Sequence, residues 1–231
     1  MKKRLAIWGM VLLFFIIAGF IVAWHFNLLP EKSYGAEDFG IAWIQSSVDF
    51  NGNGIDDYTD ILSGAKIEAK NHPRYNGAYF QGGYPPDNIG VCTDVIWRSF
   101  RHAGYNLKEM IDADILARPE AYTEIIEPDT NIDFRRVRNL KVFFDTYAQP
   151  LTLNIEEIKE WQPGDIVIFG ENEHIGIVSN RRNKKGRPYI IHNAGQPNRD
   201  EDYMKWSWLK ITGHYRFDAS LIEEEVLIPW K

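Results

Sequence analysis

Leu5 to Phe26 is a run of 22 residues with no charged side chain, His25 counted as neutral, and Lys2, Lys3 and Arg4 directly precede it. No other feature of the chain restricts its architecture as much. A helix of about 20 apolar residues crosses the hydrocarbon core of a bilayer. The run exceeds the apolar core of a cleaved secretory signal, and no small-x-small cleavage site stands before Pro30. We therefore expect residues 1–30 to be an uncleaved signal anchor, one transmembrane helix seated in the lipid bilayer through residues 5–26. Secretion after signal cleavage is the alternative. The basic flank keeps the N-terminus in the cytoplasm and places the rest outside.

After a polar tether at 31–38, the chain is long enough for one domain with a sizeable core. Of 26 basic and 32 acidic side chains, three basic ones lie in the leader, which leaves 23 against 32 and a formal charge of −9 outside it. That balance argues against a nucleic-acid partner, whose binding face needs clustered Lys and Arg. Cys92 is the single cysteine. It can form no disulfide within the chain, and it opens the amphipathic segment Cys92-Thr93-Asp94-Val95-Ile96-Trp97. A thiol at a helix start feels the positive end of the macrodipole, which favours thiolate; the bland alternative is a small buried hydrophobe.

Phe39, Ala42, Trp43 and Ile44 suggest a first helix, and Ile61, Leu62, Ala65 and Ala69 another that ends near Asn71-His72-Pro73. Residues 39–72 thus read as helix, loop and helix, ahead of a main domain over 73–231. A Gly/Pro-rich loop at 73–90 delivers the chain to Cys92, and the helix that follows stops at Gly104. Phe134, Val137, Leu140, Phe143, Phe144 and Tyr147 mark a further helix, with Asp133 as its expected cap. Arg135, Arg136, Arg138 and Lys141 would form its solvated face. From Trp161 onward the pattern changes to short strands at 166–169, 174–179, 189–192 and within 208–217. Helices first and an antiparallel sheet second define an α+β fold.

A cysteine nucleophile needs a base within hydrogen-bond reach and a third group to hold that base. His174 and His192 each end a strand of one expected hairpin, and a turn centred on Asn183 would set them side by side on one face. Even a slip of two residues keeps both rings on that face. Asn193 is the second choice for orienting His174, but alternation along the strand points it to the opposite face. His72 and His214 are weaker candidates, and Asp165 in Pro163-Gly164-Asp165 reads as a turn residue capping backbone amides. Cys92, His174 and His192 are also ligand types for zinc, though no closely spaced fourth ligand accompanies them.

The set Cys92-Thr93-Asp94, Trp161-Gln162-Pro163-Gly164-Asp165-Ile166-Val167, His174-Ile175-Gly176-Ile177-Val178 and Ile191-His192-Asn193 resembles the NlpC-like cell-wall cysteine peptidases of the papain-like group. The order agrees, with 82 residues from Cys92 to His174 and 18 more to His192. More narrowly, Asn131-Ile132-Asp133-Phe134-Arg135-Arg136-Val137 and Gly213-His214-Tyr215-Arg216 resemble a bacterial domain family with no assigned function. The first resemblance implies a papain-like fold in which Cys92 attacks an amide of peptidoglycan, His174 is the base and His192 orients it. It departs from that family at Val91-Cys92-Thr93, where Asp-Cys-Ser is usual, and in the long 107–160 segment. A non-catalytic wall-binding module of the same fold and a thioester-forming acyltransferase are the competing functions.

A separate signal lies at Asp49-x-Asn51-x-Asn53-Gly54-Ile55-x-Asp57-x-x-Asp60, which matches a twelve-residue calcium loop at the ligand positions. Ile55 would offer its backbone carbonyl, and the last position is Asp rather than Glu. A structural Ca2+ ion is the expectation, and an Asx-rich turn without an ion is the alternative.

Overall fold

The computed structural model describes residues 2–25, 29 and 32–231. Helix α1 (Lys2–His25) contains one stretch, Ile7–Trp24, long and apolar enough to cross a membrane, and none of it is buried against the protein. Phe26 and the junction at residues 30 and 31, where we expect the anchor to meet the tether, lie outside the described residues. The tether is already attached at Tyr34, which exchanges two backbone hydrogen bonds with Arg182 at 2.9 and 2.8 Å.

No helix forms at 39–44. Glu37–Phe39 makes one turn of 3-10 helix, Gly40 ends it at φ 63°, and residues 41–46 have no regular structure. The apolar positions there span little more than a turn, too few to offset helix nucleation, and Trp43 and Ile44 stay exposed. Helix α2 (Asp57–Asn71) begins where Asp56 accepts the Thr59 amide and the Thr59 hydroxyl. Ile61, Leu62 and Ala65 of α2 share one core with the helices that follow, so the 39–72 and 73–231 segments pack as one body.

The irregular loop after α2 contains only the short parallel pair β1 (Arg74–Tyr75) and β2 (Ile89–Gly90). Helix α3 (Cys92–His102) follows and stops as expected, with Gly104 at φ 92°. Next come α4 (Leu107–Ala117) and α5 (Val137–Tyr147). Asp133 does not cap α5. It sits on a 3-10 turn (Asp133–Arg135) and accepts the Asp129 amide at 2.7 Å, while Arg136 takes the cap position without a side-chain bond. Arg135 belongs to that turn and is buried, so it leaves the solvated face assigned to it.

Strands β3 (Gln149–Pro150), β4 (Ile166–Phe169), β5 (His174–Arg182), β6 (Pro188–Ile191), β7 (Asp200–Glu201) and β8 (Ile211–Arg216) form one antiparallel sheet in the order β3-β8-β4-β5-β6-β7. The fold is α+β. Both faces of the sheet are covered, which is why Ile166-Val167-Ile168-Phe169 is apolar throughout instead of alternating. Ile166, Ile168, Ile175, Ile177 and Ile191 face the helices. Val167, Phe169, Val178 and Ile190 face a second cluster with Trp161 and with Tyr203 of the short helix α6 (Tyr203–Trp206).

Candidate active site

The start of α3 is held from its third residue. Asp94 is fully buried, and its Oδ2 accepts the Val91 amide at 2.7 Å, satisfying a donor that the helix cannot. Its Oδ1 accepts the Trp97 indole N–H at 2.7 Å, and Arg135 closes a two-pronged pair onto the same carboxylate at 2.8 and 2.9 Å. Planar guanidinium matches carboxylate in two directions at once, so the pair fixes orientation as well as charge. Thr93 donates its hydroxyl to the Arg135 carbonyl at 3.2 Å. This side-chain frame anchors the residues on either side of Cys92.

Cys92 is 7 % exposed. Burial pushes its thiol up to about 11, against the opposing pull of the Ile175 and Thr93 backbone amides. The expectation that the helix start lowers the thiol is therefore overturned: desolvation of the charged form outweighs the dipole at this depth. The Ile175 amide places Cys92 against β5 one residue from His174.

His174 and His192 meet. His174 Nε2 lies 2.8 Å from His192 Nδ1, with the ring planes at 87°. The β5–β6 register pairs Ile177 with Ile191, two residues away from the symmetric turn about Asn183, because the pairing shifts between Val178 and Arg182. Gly176 permits the approach. A Cβ there would stand 2.6 Å from Ile190 Cγ2 and 2.9 Å from the Ile191 carbonyl. Tyr203 packs on both rings, at 5.3 and 4.3 Å between centroids. Burial lowers both histidines to about 3, helped at His174 by His192 and at His192 by Arg199. Behind His192 stands Glu201, whose Oε1 is 3.2 Å from Nε2 and which is 2 % exposed. Nothing in the sequence singles it out, because Asp200-Glu201-Asp202 reads as a solvated acidic run.

The other candidates are engaged elsewhere. Asn193 donates to the Gly90 and Pro73 carbonyls at 3.0 and 3.3 Å, tying the sheet to the loop that delivers Cys92. His214 is stacked on Trp161 at 3.7 Å between the Thr152 carbonyl and Asp165. Asp165 accepts the Gln162 amide, as expected of a turn residue, and in addition a two-pronged pair from Arg216. His72 ends α2 in a left-handed conformation and contacts the Pro197 carbonyl.

A cleft of about 340 Å³ opens beside the thiol, with Cys92, Tyr75, Arg136, Arg138, Asn172 and Glu173 in its lining. Arg136 is exposed there, and its side chain makes no hydrogen bond or ion pair among the described residues. Arg138 reaches the exposed Glu124.

In the 49–60 loop, Asp49 accepts the Asn53 and Gly54 amides, Asn51 the Asn53 amide and Asn53 the Ile55 amide, the bonds of an Asx-rich turn. Asp57, however, is buried between the Phe50 amide and the Tyr105 hydroxyl. Asn51 and Asn53 direct their amide nitrogens to Asp60 Oδ2, while Asp60 Oδ1 is buried without a hydrogen bond, its charged neighbour being His102 Nε2 at 3.9 Å. Among the described residues, no group of three or more His, Cys, Asp or Glu is placed to hold a metal ion.

With its α+β layout, buried thiol and buried histidine pair defined, the protein can be set beside known ones. A family described as Domain of unknown function (DUF1287) matches residues 62–217. The chain belongs to that family. It is 33 % identical over 169 residues to "Uncharacterized protein YijF" of Escherichia coli (strain K12), an alignment covering 68 % of this chain and 80 % of that protein. No solved structure matches the chain significantly.

Proposed function

We propose that the protein is a membrane-anchored cysteine hydrolase of papain-like, NlpC-like fold that works outside the cytoplasm on amide bonds of peptidoglycan stem peptides. The supporting observations are the thiol of Cys92 at the start of α3, seated on the Ile175 amide of β5, and the His174–His192 pair, which starts at the preceding residue of that strand. His174 uses Nε2 for His192, so Nδ1 is the nitrogen left for chemistry. Burial keeps thiol and imidazoles neutral at rest, so the thiol proton passes to His174 Nδ1 as Sγ attacks the carbonyl carbon. The Cys92 amide at the helix start helps hold the oxyanion. His174 then gives its proton to the leaving amine nitrogen, and water cleaves the thioester to restore the thiol. Arg136 and Arg138 on one part of the cleft and Glu173 on another suit a peptide carrying both charges.

The test is to incubate purified peptidoglycan with the full chain and with Cys92→Ala in detergent. Fragments released by the native protein alone support the assignment, whereas equal release by both, or none by either, overturns it. A product that appears only with an added amine acceptor would mark the acyltransferase instead. A wall-binding module would retain peptidoglycan and release nothing. Ca2+ in the 49–60 loop is a separate proposal, supported by ligand spacing and by the buried Asp60 Oδ1 that no hydrogen bond satisfies. Added calcium should raise the melting temperature of the native protein and leave Asp49→Ala unmoved; equal responses remove the ion.

A further inference from the structure

The His174–His192 pair leaves open which nitrogen carries which proton, and the answer decides whether His174 can act as a base at all. A neutral imidazole has one N–H and one lone pair. If the Nε2 of His174 carries the hydrogen, its Nδ1 lone pair is available to the thiol. In the other tautomer Nδ1 carries the hydrogen and has no lone pair with which to take a proton.

Three contacts reach the far side of His192. Glu201 Oε1 lies 3.2 Å from Nε2, and Gln196 Nε2 lies 3.1 Å from Nε2 and 3.3 Å from Nδ1. The Gln196 amide has its orientation set by the Ala194 amide, which donates to Oε1 at 2.7 Å, so the nitrogen facing the ring can only donate. It is nearly equidistant from both ring nitrogens, donates to the His192 carbonyl at 3.1 Å, and so does not choose between tautomers. A carboxylate does choose, because it only accepts. Arg199 is a charged neighbour of both His192 and Glu201 and favours an anion at this spot.

We infer that Glu201 is a positioning residue that sets the proton arrangement of the site through His192. Its carboxylate accepts Nε2–H of His192. The Nδ1 lone pair of His192 then accepts Nε2–H of His174, and the Nδ1 lone pair of His174 faces away from the relay as the base. Glu201 touches no substrate. It acts through two rings, with hydrogen bonds of 3.2 and 2.8 Å as the links. The inference rests on the reading of His174 as the base of Cys92 but not on what the substrate is.

The experiment uses the full chain in detergent micelles with 15N-labelled histidine. Long-range proton–nitrogen spectra distinguish a bare Nδ1 from a protonated one. In the native protein both His174 and His192 should be Nε2–H tautomers, and a native His174 with Nδ1–H overturns the inference without any variant. Glu201→Leu removes the acceptor. A mixed His174 tautomer should appear, with Cys92 alkylation by iodoacetamide slowed by about 10- to 100-fold, part of the 10²–10⁴ a general base supplies. Glu201→Gln keeps an accepting oxygen and should recover part of both signals, which a merely structural role would not arrange by chemistry of the replacement. A folded Glu201→Leu with native tautomers and native alkylation rates overturns the proposal. Because neither readout uses peptidoglycan, native tautomers in a protein that cleaves no wall would sink the hydrolase reading and leave this one standing.

Discussion

Two buried histidine–carboxylate units lie in the same sheet and use the same residue types to different ends. In one, Asp165 holds His214 at 3.1 Å, but Arg216 occupies both oxygens of that carboxylate and Trp161 covers the ring face to face. His214 Nδ1 is also taken, by the Thr152 carbonyl. Every nitrogen has its partner and the unit is closed. In the other, Glu201 holds His192 and His192 holds His174, and the chain of partners ends at His174 Nδ1, beside the segment of β5 that touches Cys92. The two units differ in whether the hydrogen-bond series is finished, not in burial or the presence of a carboxylate, and on the proposed function the unfinished one serves the thiol.

The largest expected effect would break this comparison directly. His174→Ala should reduce hydrolysis by about 10²- to 10⁴-fold, the usual contribution of a general base, over and above the stability lost by unpairing His192 Nδ1. His214→Ala should lower stability alone. It leaves the half-buried Thr152 carbonyl without its partner and Trp161 without its stacked ring, a loss of about 1–3 kcal/mol, while Asp165 keeps Arg216 and the folded fraction keeps its rate. Turnover and thermal melts on both variants decide the matter, and similar profiles would mean that the two units do not differ in kind.

The same contrast explains what the sequence could and could not convey. His174 and His192 are legible because strand alternation puts even-numbered neighbours on one face and tolerates a slip of two. The slip itself is hidden in the polar Arg181–Arg187 stretch, whose composition does not reveal a bulge. Arg135 is misplaced by helical counting because it precedes α5 on a tighter turn, and its partner Asp94 is 41 positions away. Glu201 is invisible because β7 has two residues and no apolar pattern; only its pairing with β6, Ile190 to Glu201, brings it behind His192. Long-range pairing of polar residues leaves no periodic trace, and the thiol's depth, which raises Cys92, follows from packing that no local motif specifies.

Acid sharpens the comparison at intermediate size. Burial holds His174 and His192 at about 3, whereas an unfolded chain titrates them near 6.5. Between those values the unfolded state binds protons that the folded rings refuse, so stability is full above about pH 6.5 and falls as pH drops toward 3. His192→Asn removes one of the two contributions. Its melting temperature should therefore vary less steeply with pH across that window than the native protein's, and an unchanged slope would show that the pair is not held neutral by burial.

The smallest effect separates holding a ring from assigning its proton. Gln196 donates to the His192 carbonyl and accepts from Ala194 and Arg199, so Gln196→Leu should cost about 1 kcal/mol for the lost hydrogen bonds. Its nitrogen, nearly equidistant from both ring nitrogens, carries no preference between tautomers, and the alkylation rate of Cys92 should stay at the native value. A loss of rate as large as that of Glu201→Leu would mean that the polar surroundings of His192 act collectively, and the carboxylate would lose its special place in the relay. A stability change alone leaves Glu201 as the group that assigns the protons of the second unit, as the proposed relay requires.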